Sequence, residues 1–239
     1  MRKPRTVQAV LTAVLITSSA IGLCVNTASA AEQRGGFVVS KAQYNKMFPH
    51  HKKLYTYEGL VKAMKAFPAF AHTGDAGTRK REAAAFLANV SHETSGLIYI
   101  NEQNEANWPT YCQPEPYGCP AGQSAYHGRG PLQISWNYNY KAAGDKFHVD
   151  LLHHPNLAAK NSVVTWKLAL WYWMTQSGPG TMTPHHAMVG SGGFGETIRS
   201  INGSLECNGS NTAEMRDRIA NYKKFTEMLH VGTGRHLSC

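Results

Sequence analysis

The chain has 239 residues, of which 42% are hydrophobic and 16% are charged, and its formal net charge is +9 at pH 7. This composition is typical of a folded domain and excludes a disordered or fibrous chain. The basic residues are scattered, with one tight cluster at residues 79–81, and they lack the basic–aromatic pattern of nucleic-acid binding. We therefore expect no nucleic-acid partner.

The chain begins with the pattern of an export signal. Three basic residues precede an apolar stretch over residues 10–25, and the small residues 28–30 follow as a cleavage site. The stretch is short for a membrane anchor, and Leu23 before Cys24 is too bulky for a lipoprotein signal. We predict a secretory signal peptide over residues 1–30 and one secreted domain over residues 31–239, with no stable membrane association after cleavage.

Helical patterns dominate the rest of the chain. Residues 57–67 carry apolar side chains at helical spacing, and residues 79–92 are apolar nearly all round, which predicts a central, buried helix that Gly96 ends. Further helices are predicted over residues 163–175 and 214–229. The tryptophans of the segment 163–175 have helical spacing in an apolar run, which favours core packing over a sugar-binding platform.

Two long loops rich in glycine or proline separate these helices. They span residues 101–133 and 178–195. Loops of this length in a compact domain usually have a function. The sequence therefore predicts a mainly α domain whose long loops shape a cleft.

Four of the five cysteines follow the export signal. An even number in an exported chain indicates two disulfides, for which three pairings exist. The turn-rich segment between Cys112 and Cys119 favours a local bridge, which leaves Cys207 to pair with Cys239. No C-x2-C pair is present, which disfavours a zinc site.

Glu93 is the first candidate catalytic residue. It lies at the end of the most apolar predicted helix, where a carboxylate opposes the helix dipole and is a poor choice for stability alone. Partial burial among apolar side chains would favour the neutral acid, as a proton donor requires. A surface glutamate that closes the helix is the alternative interpretation.

Glu102 is the second candidate. Residues 97–101 are rich in β-formers and predict a short strand, after which Glu102 begins a polar loop. A solvated carboxylate there would be ionised at neutral pH. One neutral and one ionised carboxyl group form the pair that hydrolyses a glycosidic bond by acid–base catalysis. Glu105 competes for the second role.

Two other hydrolase classes lack their signatures. His92 and Glu93 begin like the H-E-x-x-H motif of zinc peptidases, but Gly96 stands where the second histidine is required. The G-x-S-x-G motif of serine hydrolases does not occur. We expect neither a metal nor a cofactor.

Three ordered motifs resemble family 19 chitinases. They are residues 81–94, 128–140 and 198–207, and the likeness extends from about Phe37 to Cys239, closest to the compact bacterial form found in actinomycetes. The resemblance implies a lysozyme-like, mostly helical fold with a deep cleft between two lobes. It also implies endo-hydrolysis of chitin and chito-oligosaccharides, at β-1,4 linkages between N-acetylglucosamine units and with inversion at the anomeric carbon.

The resemblance also implies roles for individual residues. Glu93 would be the general acid, Glu102 the base that activates water, and Ser135 would help to hold that water. The other matched positions would bind sugar or support the carboxylates: His92, Thr94, Tyr126, Gln133, Tyr138, Asn139, Asn202 and Arg218.

The chain departs from the family pattern at two positions. His127 stands where many members have tyrosine, and Ser95 replaces the more usual glycine or threonine beside Glu93. Neither change removes a catalytic group. A peptidoglycan hydrolase and a catalytically idle chitin-binding or antifungal protein are the alternative functions. Nothing in the sequence demands more than a monomer.

Overall fold

Eight α-helices form the regular structure of residues 36–239, the part of the chain that this computed structural model describes. They are α1 (Lys41–Met47), α2 (Tyr57–Met64), α3 (Ala76–Thr94), α4 (Asn137–Phe147), α5 (Ser162–Thr175), α6 (Pro184–Val189), α7 (Gly193–Glu206) and α8 (Thr212–Met228). Two 3-10 helices, Glu105–Tyr111 and Pro155–Ala159, lie in the connections. The predicted signal peptide over residues 1–30 lies outside the described residues.

Local capping chemistry sets where several helices begin. The Ser40 hydroxyl accepts a hydrogen bond from the Gln43 backbone N–H at 3.2 Å, and the Gln43 side chain accepts one from the Ser40 N–H at 2.9 Å. Asp75 caps α3 through the N–H of Thr78 at 2.6 Å. Such caps contribute about 1 kcal/mol each. The Asp75 cap explains why α3 begins three residues before the predicted start at residue 79.

The core is built around α3. Every residue from Glu82 to Val90 is buried, which confirms the prediction of a central helix. Phe86 packs edge-on against Trp173, with ring centroids 5.3 Å apart. Trp166 and Trp173 are fully buried, so these tryptophans belong to the core, as predicted. None of the helices in residues 36–239 is both long and apolar enough to cross a membrane.

Two predictions of local structure are wrong. No strand forms over residues 97–101: residues 95–98 form a turn, because the N–H groups of Ile98 and Tyr99 both donate to the Thr94 carbonyl at the end of α3. Within the described residues, β-structure is limited to isolated bridges that join Arg129 to residues 101 and 134. The predicted loop 178–195 contains α6, whose first residue is Pro184, a residue well suited to the first turn of a helix.

Both disulfides have the pairing that the sequence favours. Cys112 is bonded to Cys119, beside the 3-10 helix Glu105–Tyr111, and Cys207 at the end of α7 is bonded to the C-terminal Cys239. The C-terminal tail also packs tightly on α7, because a Cβ atom at Gly195 would lie 2.1 Å from a carbonyl oxygen of the tail. The second bridge therefore secures a tail that already contacts the helix backbone.

Candidate active site

An open cleft with a volume of about 1070 Å³ brings the two predicted carboxylates together. Glu93 and Glu102 both line it. Five of the other predicted site residues also line it: Gln133, Ser135, Tyr138, Asn139 and Asn202. The lining is rich in amides, hydroxyls and aromatic rings, which are the groups that bind sugars.

Glu93 lies one residue before the C-terminal end of α3. Ser95 ends the helix in the left-handed conformation, with φ 49° and ψ 51°. The Glu93 side chain is 17% exposed, and its Oε1 lies 2.5 Å from Nη2 of Arg218, a buried residue of α8. The apolar pattern of the helix predicts an apolar environment for Glu93. That expectation is wrong, because packing of α8 along α3 places a guanidinium group against the carboxylate.

Arg218 joins Glu93 to a second, buried carboxylate, Glu206. Its Nε and Nη2 atoms each donate to Glu206 at 2.7 Å, while Nη1 donates to Asn89 at 3.1 Å. The amide of Asn202 donates to Glu206 Oε1 at 2.7 Å. Burial by itself would raise the pKa of Glu206, but the hydrogen bonds and charge of Arg218 outweigh burial and hold that pKa below its ordinary value. The buried guanidinium therefore has an ionised partner.

A kink in α7 exposes Asn202 to the cleft. Asn202 has φ −145° and ψ 30°, which interrupts the helix. Its neighbours Ile201 and Leu205 line the same wall, and Leu205 is 64% exposed. The kink thus places one side chain where it contacts both the buried Glu206 and the open cleft.

Glu102 is held by three hydrogen-bond donors. The Tyr111 hydroxyl donates to its Oε1 at 2.8 Å and the Asn107 amide to the same atom at 3.2 Å. The backbone N–H of Gly128 lies 3.4 Å from Oε2. The Glu102 main-chain N–H also donates to the Gly128 carbonyl at 2.8 Å, so backbone and side chain are both anchored to that glycine.

Tyr111 and Asn107 are site residues that the sequence analysis missed. Burial is the main cause that raises the pKa of Tyr111 to about 12, and the hydrogen bond to Glu102 is the second cause. The Tyr111 hydroxyl therefore remains a donor at neutral pH. The Tyr111 ring packs edge-on against Trp136, with centroids 5.1 Å apart. No periodic signal marks either residue, because an irregular 3-10 turn carries both of them back to Glu102. From the amino-acid pattern, both residues belong to the polar loop predicted over residues 101–133.

The segment 133–139 contributes further residues to the lining of the cleft. The Ser135 hydroxyl donates to the Gln133 carbonyl at 3.1 Å, and the Asn139 amide donates to the Ser135 carbonyl at 2.9 Å. Gln133 and Trp136 both have positive φ, at 46° and 77°. Residues other than glycine rarely adopt this conformation, and it clusters at functional sites. Tyr138 is 39% exposed at the cleft edge and stacks on Trp136.

Four predicted site residues do not line the cleft: Arg218, which lies behind Glu93, and Tyr126, Thr94 and His92. Tyr126 is fully buried and donates to a main-chain carbonyl at 2.8 Å. Thr94 is buried and closes α3, where its hydroxyl donates to the Val90 carbonyl at 2.6 Å. His92 faces α8, and its Nδ1 lies 2.7 Å from Asp217. Tyr126, Thr94 and His92 are each turned into the framework around the cleft, a position that suits support of the site rather than contact with sugar.

The competing carboxylate Glu105 is exposed and does not line the cleft. The pair of carboxylates in the cleft is therefore Glu93 and Glu102. A mainly helical domain with two carboxylates in one polar, aromatic-edged cleft has the features of a glycoside hydrolase.

Comparison with known proteins gives the family. The sequence model of glycoside hydrolase family 19, described as chitinase class I, matches residues 38–239, and the chain belongs to this family. An endochitinase of Phaseolus vulgaris is 39% identical over 235 residues, which cover 84% of this chain and 70% of the relative. The inactive chitinase-like protein 1 of Hevea brasiliensis is 38% identical over 237 residues, covering 85% and 74% of the two chains.

Solved structures show the same relationship. Chitinase C from Streptomyces griseus HUT6037 is 61% identical, with a TM-score of 0.83, over 86% of this chain and 81% of its own. The class IV chitinase of Zea mays is 42% identical, with a TM-score of 0.74, over 84% and 98% of the two chains. These neighbours confirm the predicted mainly α, lysozyme-like fold and the resemblance to the bacterial form of the family.

Proposed function

We propose that this protein is an endo-acting chitinase that hydrolyses β-1,4 linkages between N-acetylglucosamine units with inversion at the anomeric carbon. Glu93 is the general acid and Glu102 the general base. The observation that carries the proposal is that these two carboxylates line one cleft in different surroundings. Glu93 lies against a buried guanidinium, whereas Glu102 accepts hydrogen bonds from a tyrosine, an amide and a backbone N–H.

The two carboxylates have opposite roles in the proposed reaction. Glu93 gives its proton to the glycosidic oxygen, while Glu102 takes a proton from the water that attacks the anomeric carbon. Ser135 lines the cleft and supplies a hydroxyl that helps to hold this water. Arg218 stabilises the negative charge that Glu93 acquires after it has lost its proton, because the guanidinium is already 2.5 Å away and needs no rearrangement.

The charge of the cleft supports a neutral sugar as substrate. Among the described residues that line it, the only charged side chains are those of Glu93 and Glu102. A chain of N-acetylglucosamine is uncharged and fits this lining. Peptidoglycan carries carboxylates on its lactyl-peptide branches, and these would meet two acidic side chains without a lining lysine or arginine. Chitin and chito-oligosaccharides are therefore the favoured substrates over the peptidoglycan alternative.

Catalytic activity, rather than sugar binding alone, is supported by the complete set of groups around the carboxylates. A relative named as inactive shows that similarity to the family does not by itself mean hydrolysis. Here Glu93 accepts a hydrogen bond from Arg218, and Glu102 is held by three donors. A purely binding protein would not need two carboxylates that are each held by their own partners.

We also propose that this enzyme is secreted and acts outside the cell. Residues 1–30 form the signal peptide, Ala31 begins the mature protein, and residues 31–239 are the catalytic domain, which acts as a monomer without stable membrane association. The two disulfides fit an oxidising compartment. Mass spectrometry of the secreted protein checks the position of cleavage.

The anomer of the first product tests the mechanism. Mature protein is incubated with the hexamer of N-acetylglucosamine, and product anomers are recorded by proton NMR at early times. We expect fresh α-anomer, which inversion produces. Fresh β-anomer would show a retaining enzyme and a wrong role for Glu102.

A parallel incubation with peptidoglycan separates the alternatives. Cleavage of peptidoglycan without cleavage of the hexamer would favour the cell-wall hydrolase. Binding of the hexamer with no hydrolysis of either substrate would favour the idle chitin-binding protein.

A further inference from the structure

Two aromatic rings next to the groups that hold Glu102 are stacked on one another. The Trp108 and His127 rings are nearly parallel, with centroids 3.7 Å apart and an interplanar angle of 16°. Neither residue lines the cleft. His127 is also the position at which the chain departs from the tyrosine of many family members. The family resemblance therefore gives this pair no role.

Each member of the stack is one residue from a donor to Glu102. Asn107, which precedes Trp108, donates to Oε1, and Gly128, which follows His127, has its N–H 3.4 Å from Oε2. The stack therefore joins the two backbone segments that supply donors to the two different oxygens of one carboxylate.

The stack is one of several contacts outside the Glu102 carboxylate that hold the 3-10 helix Glu105–Tyr111. Others are the Tyr111 ring against Trp136, the Cys112–Cys119 bridge directly after the helix, and the hydrogen bond from the Gln123 amide to the Pro109 carbonyl at 2.8 Å. No residue of this helix is buried, and five of its seven residues are exposed. An exposed 3-10 turn has little stability of its own, so the position of Asn107, next to Trp108, depends in part on what the Trp108 ring contacts.

Ring stacking, rather than a hydrogen bond, holds the Trp108 indole. Its Nε1 is buried and has no hydrogen-bond partner among the described residues. His127 is 5% exposed and is fixed from the other side, because its Nδ1 lies 2.9 Å from the Ser124 carbonyl. Burial lowers the pKa of His127, so the imidazole is neutral near pH 7 and stacks without the cost of burying a charge.

We propose that the Trp108–His127 stack is a positioning pair that holds the 3-10 helix Glu105–Tyr111 and Gly128 around Glu102. This inference rests on the proposed function, in which Glu102 activates water. Both residues act through the donors to Glu102, and neither lines the cleft. A shift of about 1 Å in a catalytic group can cost roughly 100-fold in rate, so loss of the stack has a kinetic consequence.

The first test separates turnover from binding. Trp108→Ala and His127→Ala are each expected to lower kcat on the hexamer of N-acetylglucosamine by roughly 10- to 100-fold, with KM within about twofold of wild type. His127→Phe keeps a flat aromatic ring and is expected to restore kcat to within about threefold. The double alanine variant should lose no more than either single variant, because the two rings act as one unit.

Another stacked pair provides the matched control. Phe194 and Tyr222 are stacked at 4.2 Å and do not line the cleft. Phe194→Leu should lower the melting temperature. Its kcat, measured well below that temperature, should stay close to the wild-type value. If either alanine variant fails to fold, leucine at the same position removes the ring and keeps apolar volume.

The second test does not depend on activity. Carbon-13 NMR of labelled tyrosine follows ionisation of Tyr111 at pH 11, with the signal assigned by Tyr111→Phe. The pKa of Tyr111 is about 12 when it contacts Glu102, so loss of the stack should move it towards 10.0 and raise the ionised fraction. An unchanged Tyr111 signal in both alanine variants would overturn the proposal, and so would unchanged kcat. Failure of wild-type protein to cleave the hexamer would instead refute the proposed function, and the Tyr111 signal would still decide the positioning role.

Discussion

Arg218 Nη2 lies 2.5 Å from Glu93 Oε1, although the two residues are 125 positions apart in the sequence. The same guanidinium is 1% exposed and donates twice to Glu206. Through Arg218, the candidate acid Glu93 is part of a buried hydrogen-bonded ionic network that also includes Asn89 and Asn202. Stability and activity are therefore coupled at this point of the molecule.

Removal of either cleft carboxylate should stop turnover and leave binding in place. Glu93→Gln and Glu102→Gln are each expected to lower kcat by about 100-fold or more, because general acid–base groups contribute roughly 10²–10⁴-fold. Affinity for the hexamer, measured by calorimetry, should change little. Glu105→Gln is the matched control, since Glu105 is exposed outside the cleft, and its kcat should stay within about twofold. A large loss in Glu105→Gln would show that the wrong base has been assigned.

Removal of the buried guanidinium should destabilise the fold. Arg218→Ala leaves Glu206 buried without its counter-charge, which typically costs about 3–5 kcal/mol of unfolding free energy. Arg216 is exposed on the same helix, so Arg216→Ala should change that free energy by no more than about 0.5 kcal/mol. Urea unfolding measures both values. Equal, small effects would mean that the network contributes little to stability.

The lowered pKa of Glu206 predicts a defined pH dependence of stability. A carboxyl group whose pKa is lower in the folded than in the unfolded protein stabilises the fold above its unfolded pKa, about 4.3 for Glu. That contribution is lost as the pH falls from there through the folded pKa. Glu206→Gln should therefore be less stable than wild type at pH 7, and the difference should shrink below about pH 4. Exposed Glu227→Gln should show no such convergence, and urea unfolding at several pH values checks both.

The hydroxyl of Tyr111 should matter for turnover. Tyr111→Phe removes a 2.8 Å hydrogen bond to Glu102 and keeps the ring against Trp136. A hydrogen bond to a charged group contributes about 1.5–3 kcal/mol, so we expect kcat to fall by roughly tenfold or more. Tyr117 does not line the cleft, and Tyr117→Phe is the control with unchanged kcat. Full activity in Tyr111→Phe would show that Asn107 and Gly128 hold Glu102 without it.

The two disulfides should contribute unequally to stability. They close loops with sequence separations of 7 and 32 residues, and loop entropy predicts about 2 kcal/mol for the shorter bridge and about 4 kcal/mol for the longer one. Paired serine substitutions at each bridge, compared by thermal unfolding, test this order. A larger loss from the Cys112–Cys119 pair would show that native-state contacts of that loop, rather than chain entropy, dominate.

The sequence by itself determined the features that depend on local pattern. The run of apolar residues in α3 predicts a buried central helix, since burial follows from side chains alone. The prolines and glycine between Cys112 and Cys119 favour a disulfide between these two cysteines. Since four cysteines form two bridges, the remaining pair must then be Cys207 and Cys239. The polar, aromatic composition around residues 133–139 likewise predicts a surface suited to sugar, and residues of this segment line the cleft.

Only the tertiary structure decided what surrounds each carboxylate. Arg218 contacts Glu93 because α8 packs along α3, and no local pattern in either helix encodes that docking. Tyr111 reaches Glu102 through a 3-10 turn that lacks periodicity, and the Trp108 ring contacts His127, 19 positions further along the chain. The segment after α3 is rich in β-formers, yet its N–H groups close the helix and it turns towards Gly128 instead. Long-range packing overrides local propensity at these positions, and these are the contacts that hold the two cleft carboxylates in place.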